Sequence, residues 1–278
     1  TAGLRGLDLG GRVRPGETVA ITGGSRGITD AVPALQAVVG HLHALGAAPF
    51  VVPSMGSHGG GTAEGQELVL TSYGMTEAAL GCPVRSSMEV VEVARSGLGF
   101  PLWQDRLAAA ADHVVVVNRV KPHTLFSGAI ESGLVKMLLI GLGKAEGAAM
   151  VHRAIMEHGW AAVIDDAAPR LLHGRNVLAG VALVERGDDR TAEVAVLAPE
   201  RWLTDEPRLL DEARRLLPRL PIADLDLLLL DRIGKNISGA GLDTNVVGRK
   251  GAHHPPVCEP HGGVRMIGVR GLTPETHG

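Results

Sequence analysis

A chain of 278 residues, 45% hydrophobic and 21% charged, is long enough to bury a sizeable core and too apolar to stay disordered. Its formal net charge of −3 excludes nucleic-acid binding by bulk charge, and three Phe, three Trp and one Tyr are too few for a base-stacking or sugar-binding surface. The longest apolar runs, such as Leu225–Leu230, fall far short of a membrane span.

In chain order, Thr18–Thr22 reads as a buried strand that ends in the glycine turn 23–27. Asp30 is placed to cap a helix with an apolar stripe through Val32, Leu35, Val39 and Leu42, closed by Gly46. Residues 49–53 supply a second strand, the glycine-rich stretch 55–61 a loop, and about 62–72 a helix. Short strands are expected within 82–105, then a helix over 104–111 and the strand 113–117. Farther on come a helix near 157–173, strands at 177–184 and 193–197, and a helix at about 205–217. Pro218 to Pro221 resembles a boundary, beyond which a new strand starts at Asp226. Strands alternating with helices predict an α/β fold with a largely parallel sheet, whose ligands gather at the carboxyl ends of the strands.

Cys82 and Cys258 lie far apart without metal-type pairing, which fits free thiols in a reducing, cytoplasmic setting. No charged-then-apolar leader precedes the first strand. The chain starts at Thr1 and ends on Pro274–Gly278 without a closing element, so it reads as a portion of a longer protein.

Residues 19–28, VAITGGSRGI, resemble the dinucleotide loop of short-chain dehydrogenases, a glycine turn offering backbone amides to a pyrophosphate. Thr29 replaces the last glycine of that pattern. Those enzymes also need a tyrosine with a lysine four residues later, and here the only tyrosine, Tyr73, is followed at that distance by Glu77. The dehydrogenase reading fails on its chemistry. What remains is a turn that presents Arg26, a guanidinium fork suited to a carboxylate or phosphate.

Four other residues carry chemistry. His58 sits between glycines just after a strand, and His123 follows a stiffening proline at another strand end. Lys136 lies in an apolar run, where burial would make its amine more nucleophilic. His152 follows sixteen positions after Lys136 and could serve as a metal ligand. Lys121 and Lys144 read as anion-binding or exposed.

The Gly-Ser-His-Gly loop at 56–59, Lys-Pro-His at 121–123, the Ser-Gly-Leu-Val-Lys run ending at Lys136 and the step from Lys136 to His152 form one pattern. With these motifs the chain resembles the nickel-pincer-cofactor-dependent lactate racemase family, in a divergent isomerase-like branch, over nearly its whole length. Residues 241–245 are similar to the start of that family's second-domain active-site loop. The resemblance implies two α/β domains, each a largely parallel sheet flanked by helices, with the active site in the interdomain cleft. Residues 1–220 would form the catalytic and cofactor domain, and 221–278 the start of an incomplete second domain.

By the same resemblance, Lys136 would hold nickel pyridinium-3,5-bisthiocarboxylic acid mononucleotide covalently, Lys121 would help bind it, and His152 would ligate the nickel. His58 and His123 would be the two acid/base groups, and Arg26 would hold the substrate's carboxylate. Lys235, Arg249 and Lys250 are candidates for a cationic contact from the second domain. The implied reaction racemises or epimerises a 2-hydroxy acid by reversible hydride transfer, with cofactor-making and cofactor-inserting proteins as partners. The oligomeric state, including a homo-oligomer, stays open, and neither nucleic acid nor membrane is expected as a partner. Two departures stand near the substrate. Gly23 occupies a position that is acidic in the racemases, and the segment from His123 to Lys136 is longer and contains Glu131. They move the expected substrate away from lactate itself.

Two alternatives stand beside this reading. One is a zinc-type hydrolase using His58, His123 and His152, although the chain has no HExxH pair and His253-His254 lie in a proline-rich stretch. The other is a non-catalytic protein that binds a nucleotide or anion through Arg26 and the glycine loops.

Overall fold

The computed structural model describes residues 2–173, 176–222, 224–250 and 263–276. Cys258, His253 and His254 lie outside the described residues. In chain order the main elements are α1 (Ala2–Gly6), β1 (Thr18–Gly23), α2 (Ala31–Ala44), β2 (Ala48–Pro53), α3 (Ala63–Ser72), α4 (Glu77–Leu80), β3 (Val90–Arg95), β4 (Pro101–Asp105), α5 (Arg106–Ala110) and β5 (His113–Arg119). Then follow α6 (Leu134–Lys136), a π-helical turn at Met137–Gly141, α7 (Lys144–His158), α8 (Trp160–His173), β6 (Val177–Glu185), β7 (Thr191–Leu197), α9 (Trp202–Arg215), β8 (Leu225–Leu230) and β9 (Val264–Val269).

Five strands form the main sheet in the order β2-β1-β5-β6-β7, parallel except for the antiparallel edge strand β7. The expected mixed α/β fold with a largely parallel sheet is what the chain forms. Parallel strands covered on both faces read as continuous apolar runs, and 114–117 is such a run of four valines. Its side chains alternate between two cores. Val114 and Val116 pack with Leu134, Leu138, Val163 and Trp202 on one face, while Val115 and Val117 pack with Leu35, Val39 and Leu70 on the other. The sheet is therefore the middle of three layers. A separate parallel pair, β8–β9, follows it in the chain.

Several local expectations change. Asp30 precedes α2 but its side chain makes no cap hydrogen bond. Residues 101–105 are strand, and Asp105 caps only the short α5, accepting from the amides of Leu107 and Ala108 at 2.7 and 3.0 Å. The helix expected near 157–173 is α8 alone. Gly159, at φ 83°, separates it from α7, a helix the sequence reading had not delimited. Cys82 is a buried free thiol, as expected, and burial pushes its pKa up to about 11.

Candidate active site

Strand β1 sits between β2 on one side and β5 on the other, so the connections leave it in opposite directions. Ligands of open α/β sheets bind at such a switch point, outside the carboxyl ends of the strands. The loops at that edge carry the predicted residues Arg26 after β1, His58 after β2, and Lys121 and His123 after β5, with Ser25 beside Arg26.

The His58 loop is held from below. Gln66 of α3 donates from Nε2 to the carbonyl of Gly56 at 2.8 Å and to that of His58 at 3.2 Å. Gly59, at φ 66°, packs on the backbone of Gly65, where a Cβ would overlap it. The Gln66 carbonyl in turn accepts from Lys144 Nζ at 3.1 Å, and Lys144 also donates to Pro53 O at 2.5 Å and pairs with Asp105 at 2.9 Å. Lys144 was expected exposed or on an anion; instead it is fully buried, with Asp105 buried beside it. An ammonium needs such a carboxylate and carbonyl cage to leave water. The imidazole of His58 meets Ser25 Oγ through Nδ1 at 2.5 Å. Its pKa is held down to about 4, by surrounding protein first and then by the charges of Arg26, Lys136 and Lys235.

His123 is held more tightly. Its amide donates to Glu131 Oε2 at 2.6 Å, and Asn245 donates to its carbonyl at 3.3 Å. Its ring Nδ1 accepts from the amides of Leu125 and Phe126, each at 3.1 Å. The ring stacks on Phe126 with centroids 4.6 Å apart, and Phe126 stacks on Trp160 at 5.1 Å. Burial pushes the His123 pKa down to about 3, helped by Lys136, Lys250, His152 and Lys121.

Glu131, marked in the sequence only as part of an unusual insertion, is the buried hub of this loop. It also accepts from Gly128 N at 3.2 Å and pairs with Arg214 at 2.7 Å and Lys250 at 3.6 Å. The 243–250 segment closes over the same loop. Asp243 pairs with Lys121 at 3.3 Å, and Thr244 donates to Thr124 O at 2.6 Å.

Lys136 ends α6 and is half-buried. Among the described residues its ammonium reaches only Ser132 Oγ, at 3.4 Å. Burial, then Arg26 and Lys121, lower its pKa to about 8. His152, on α7, is also held below the ordinary histidine range, by burial and then by Lys136. The start of α6 is capped from another layer by Glu206 of α9, which accepts from the amides of Leu134 and Val135 at 3.1 and 3.2 Å. A Cβ at Gly133 would run into that carboxylate. Glu206 was not singled out in the sequence. The signal was there, since it falls in the buried stripe Trp202, Glu206, Leu209, Leu210 and Ala213.

Lys136 thus stands within electrostatic reach of His58, His123 and His152, and Arg26 and Lys235 bear on His58. Arg249 donates from one guanidinium nitrogen to the carbonyls of Val264 and Arg265, next to β9. Lys250 is engaged by Ser127, Phe126 O and Glu131. Among the described residues no three His, Cys, Asp or Glu side chains gather as a metal-ligand set, so the zinc-hydrolase alternative lacks its donors there. Nor, among them, is any helix long and apolar enough to cross a membrane.

No protein-family model matches the chain, and no curated protein matches it. Solved structures do. The lactate racemase apoprotein from Thermoanaerobacterium thermosaccharolyticum aligns over 81% of this chain and 54% of its own, with TM-score 0.58 and 14% identity. A Thermotoga maritima protein aligns over 91% of this chain and 67% of its own, with TM-score 0.66 and 15% identity. The chain spans about half the length of the racemase it matches. At these identities the likeness is one of architecture: the chain shares its mixed α/β fold with the lactate racemase apoprotein.

Proposed function

We propose that this chain carries the catalytic residues of a racemase or epimerase of 2-hydroxy acids, working with a nickel-pincer mononucleotide on Lys136. The observation that carries the reading is that the charge of Lys136 adds to burial in lowering the pKa of three histidines, so an amine and three imidazoles share one locality. The donor set suits the group. Lys136 has, among the described residues, no carboxylate partner within ion-pairing distance, and with a pKa of about 8 it offers a reactive amine near neutral pH. His152 is kept neutral, as an imidazole ligand to nickel must be. Arg26, Lys121 and Lys235 supply positive charge for a phosphate and for carboxylates.

The chemistry such a group supplies when bound is reversible acceptance of a hydride from the hydroxyl-bearing carbon. The protein supplies the rest. Arg26 is the exposed fork for the substrate carboxylate, and Lys235 adds positive charge from the second segment. His58, neutral above its pKa of about 4, takes the hydroxyl proton as the carbon–hydrogen bond breaks and returns it when the bond reforms. His123 is the second imidazole of the locality, with its Nδ1 taken by the Leu125 and Phe126 amides. Both imidazoles stay uncharged at neutral pH first because burial disfavours the charged ring, and then because Lys136 and its cationic neighbours oppose a further positive charge.

Co-expression with cofactor-making proteins tests the reading. The expected result is nickel in the purified protein, added mass on the peptide containing Lys136, and interconversion of the stereoisomers of a 2-hydroxy acid, all lost in Lys136→Ala. Persistent absence of nickel and of added mass, in protein that still turns over a hydroxy acid, would overturn it.

A further inference from the structure

The two active-site histidines are not built alike. The Nδ1 lone pair of His123 is occupied by two backbone donors, Leu125 N–H and Phe126 N–H, each at 3.1 Å. An acceptor nitrogen cannot carry a proton, so the neutral ring bears its hydrogen on Nε2. Charging the ring would place a proton against both amides and next to Lys136, Lys250, His152 and Lys121. Glu131 is the counter-charge nearby, but it is spent on the amides of His123 and Gly128 and on Arg214 and Lys250. Ring rotation is blocked as well. The ring lies on Phe126 with an interplanar angle of 7°, Phe126 lies on Trp160 at 5°, and Trp160 Nε1 donates to Ile130 O at 2.6 Å. Among the described residues Nε2 has no protein partner.

His58 has none of this. Its Nδ1 meets a single rotatable hydroxyl, Ser25 Oγ, at 2.5 Å. A serine hydroxyl accepts as readily as it donates. With Nδ1–H pointing at Ser25, the Nε2 lone pair is free to take a proton, and the resulting cation keeps the same hydrogen bond. The charges that bear on this ring are Arg26, Lys136 and Lys235.

We propose that the two histidines have fixed and unequal roles: His58, positioned by Ser25, is the only proton acceptor, and His123 is a standing Nε2–H donor to a substrate oxygen. This rests on the functional reading above and sharpens it. The substrate O–H bond breaks with its proton passing to His58 Nε2, while the hydrogen on carbon leaves with its electron pair as hydride. A carbonyl forms, and the His123 N–H holds an oxygen of the resulting keto acid. Inversion then requires the planar keto acid to turn over before the hydride returns, with His58 giving back the same proton. Exchange of acid and base roles between the histidines is excluded. Ser25 is a positioning residue that sequence reasoning passed over in favour of its neighbour Arg26.

The roles can be read without substrate or cofactor, from long-range proton–nitrogen correlations of the ¹⁵N-labelled full chain between pH 6 and pH 8. Histidine signals are assigned with the single variants His58→Gln and His123→Gln. The expected spectrum shows His123 as one Nε2–H tautomer that does not titrate, and His58 as the Nδ1–H tautomer. Ser25→Ala is expected to move His58 toward Nε2–H while leaving His123 unchanged, a response that a merely structural serine would not produce. His123 found with its proton on Nδ1, or charged in this range, overturns the proposal, and so does a His58 indifferent to loss of the Ser25 hydroxyl. Failure to turn over any 2-hydroxy acid would count against the functional reading instead, so the two failures are distinguishable.

Discussion

Lys144 and Asp105 form the ion pair behind the His58 loop. Both are fully buried, and Lys144 reaches the His58 loop through Gln66 and Pro53 O. Removing one partner of a buried ion pair strands the other charge in a medium that cannot solvate it, which costs roughly 3–5 kcal/mol. Lys144→Met is therefore expected to destabilise the protein by about that amount in urea titrations. Lys144→Met/Asp105→Leu should recover most of the loss, because the double change leaves no lone charge. A double variant as unstable as the single one would show that the cage acts through shape rather than charge. Lys144 also holds a positive φ of 54°, uncommon outside glycine, so its backbone conformation is sustained by the cage around it.

The helix that carries Lys136 takes its cap from Glu206 on α9, and that cap is titratable. Burial pushes the carboxyl up to about 7, against the amides of Leu134 and Val135, which pull it down. Since the folded value lies above the unfolded one, this group stabilises the fold fully below about pH 4.5 and loses that contribution as pH rises toward 7. A shift of this size corresponds to about 3 kcal/mol across the window. Glu206→Gln cannot ionise, so the difference in unfolding free energy between variant and wild type is expected to move by about that amount in the variant's favour between pH 4.5 and 8. A difference independent of pH would mean that Glu206 stays ionised throughout.

Strands and helices of the main sheet were legible because their signals are local. Four valines in β5, two apolar runs ending in glycine or proline, and the 3.6-residue stripe of α2 each carry their own evidence. The start of α7 was not, because Lys144-Ala-Glu-Gly-Ala-Ala reads as a glycine-broken surface segment, and only tertiary packing shows that Lys144 faces inward. His58, Lys121, His123, Lys136 and His152 could be picked out by residue type and position. Ser25 could not, and Glu131, Asp243 and Asn245 were marked only as parts of an insertion and of a loop, not by their roles, since serving another residue's backbone or ring leaves no periodicity in a sequence.

At the scale of the molecule, the second segment grips the first through the loop that bears His123. Asn245 and Thr244 bond the carbonyls of His123 and Thr124, and Lys250 and Asp243 add charged contacts on either side. Each neutral hydrogen bond contributes about 1 kcal/mol. The double variant Thr244→Val/Asn245→Ala is thus expected to speed amide exchange at Leu125 and Phe126 by about tenfold or more, with the five-stranded sheet unaffected. Unchanged exchange there would mean that the Glu131 hub alone holds the loop.

The π-helical turn at Met137–Gly141, followed by the left-handed Lys144, has a consequence for distance. Sixteen residues along one unbroken α-helix would set Lys136 and His152 about 24 Å apart, beyond what a single mononucleotide-sized group could bridge. Because the chain breaks stride and turns there, His152 instead lies where it feels the Lys136 charge. The segment works as an elbow rather than a ruler. The interval between amine and imidazole is therefore set by the angle of one joint, and a single residue added or removed at that joint would swing the two apart while leaving each helix intact.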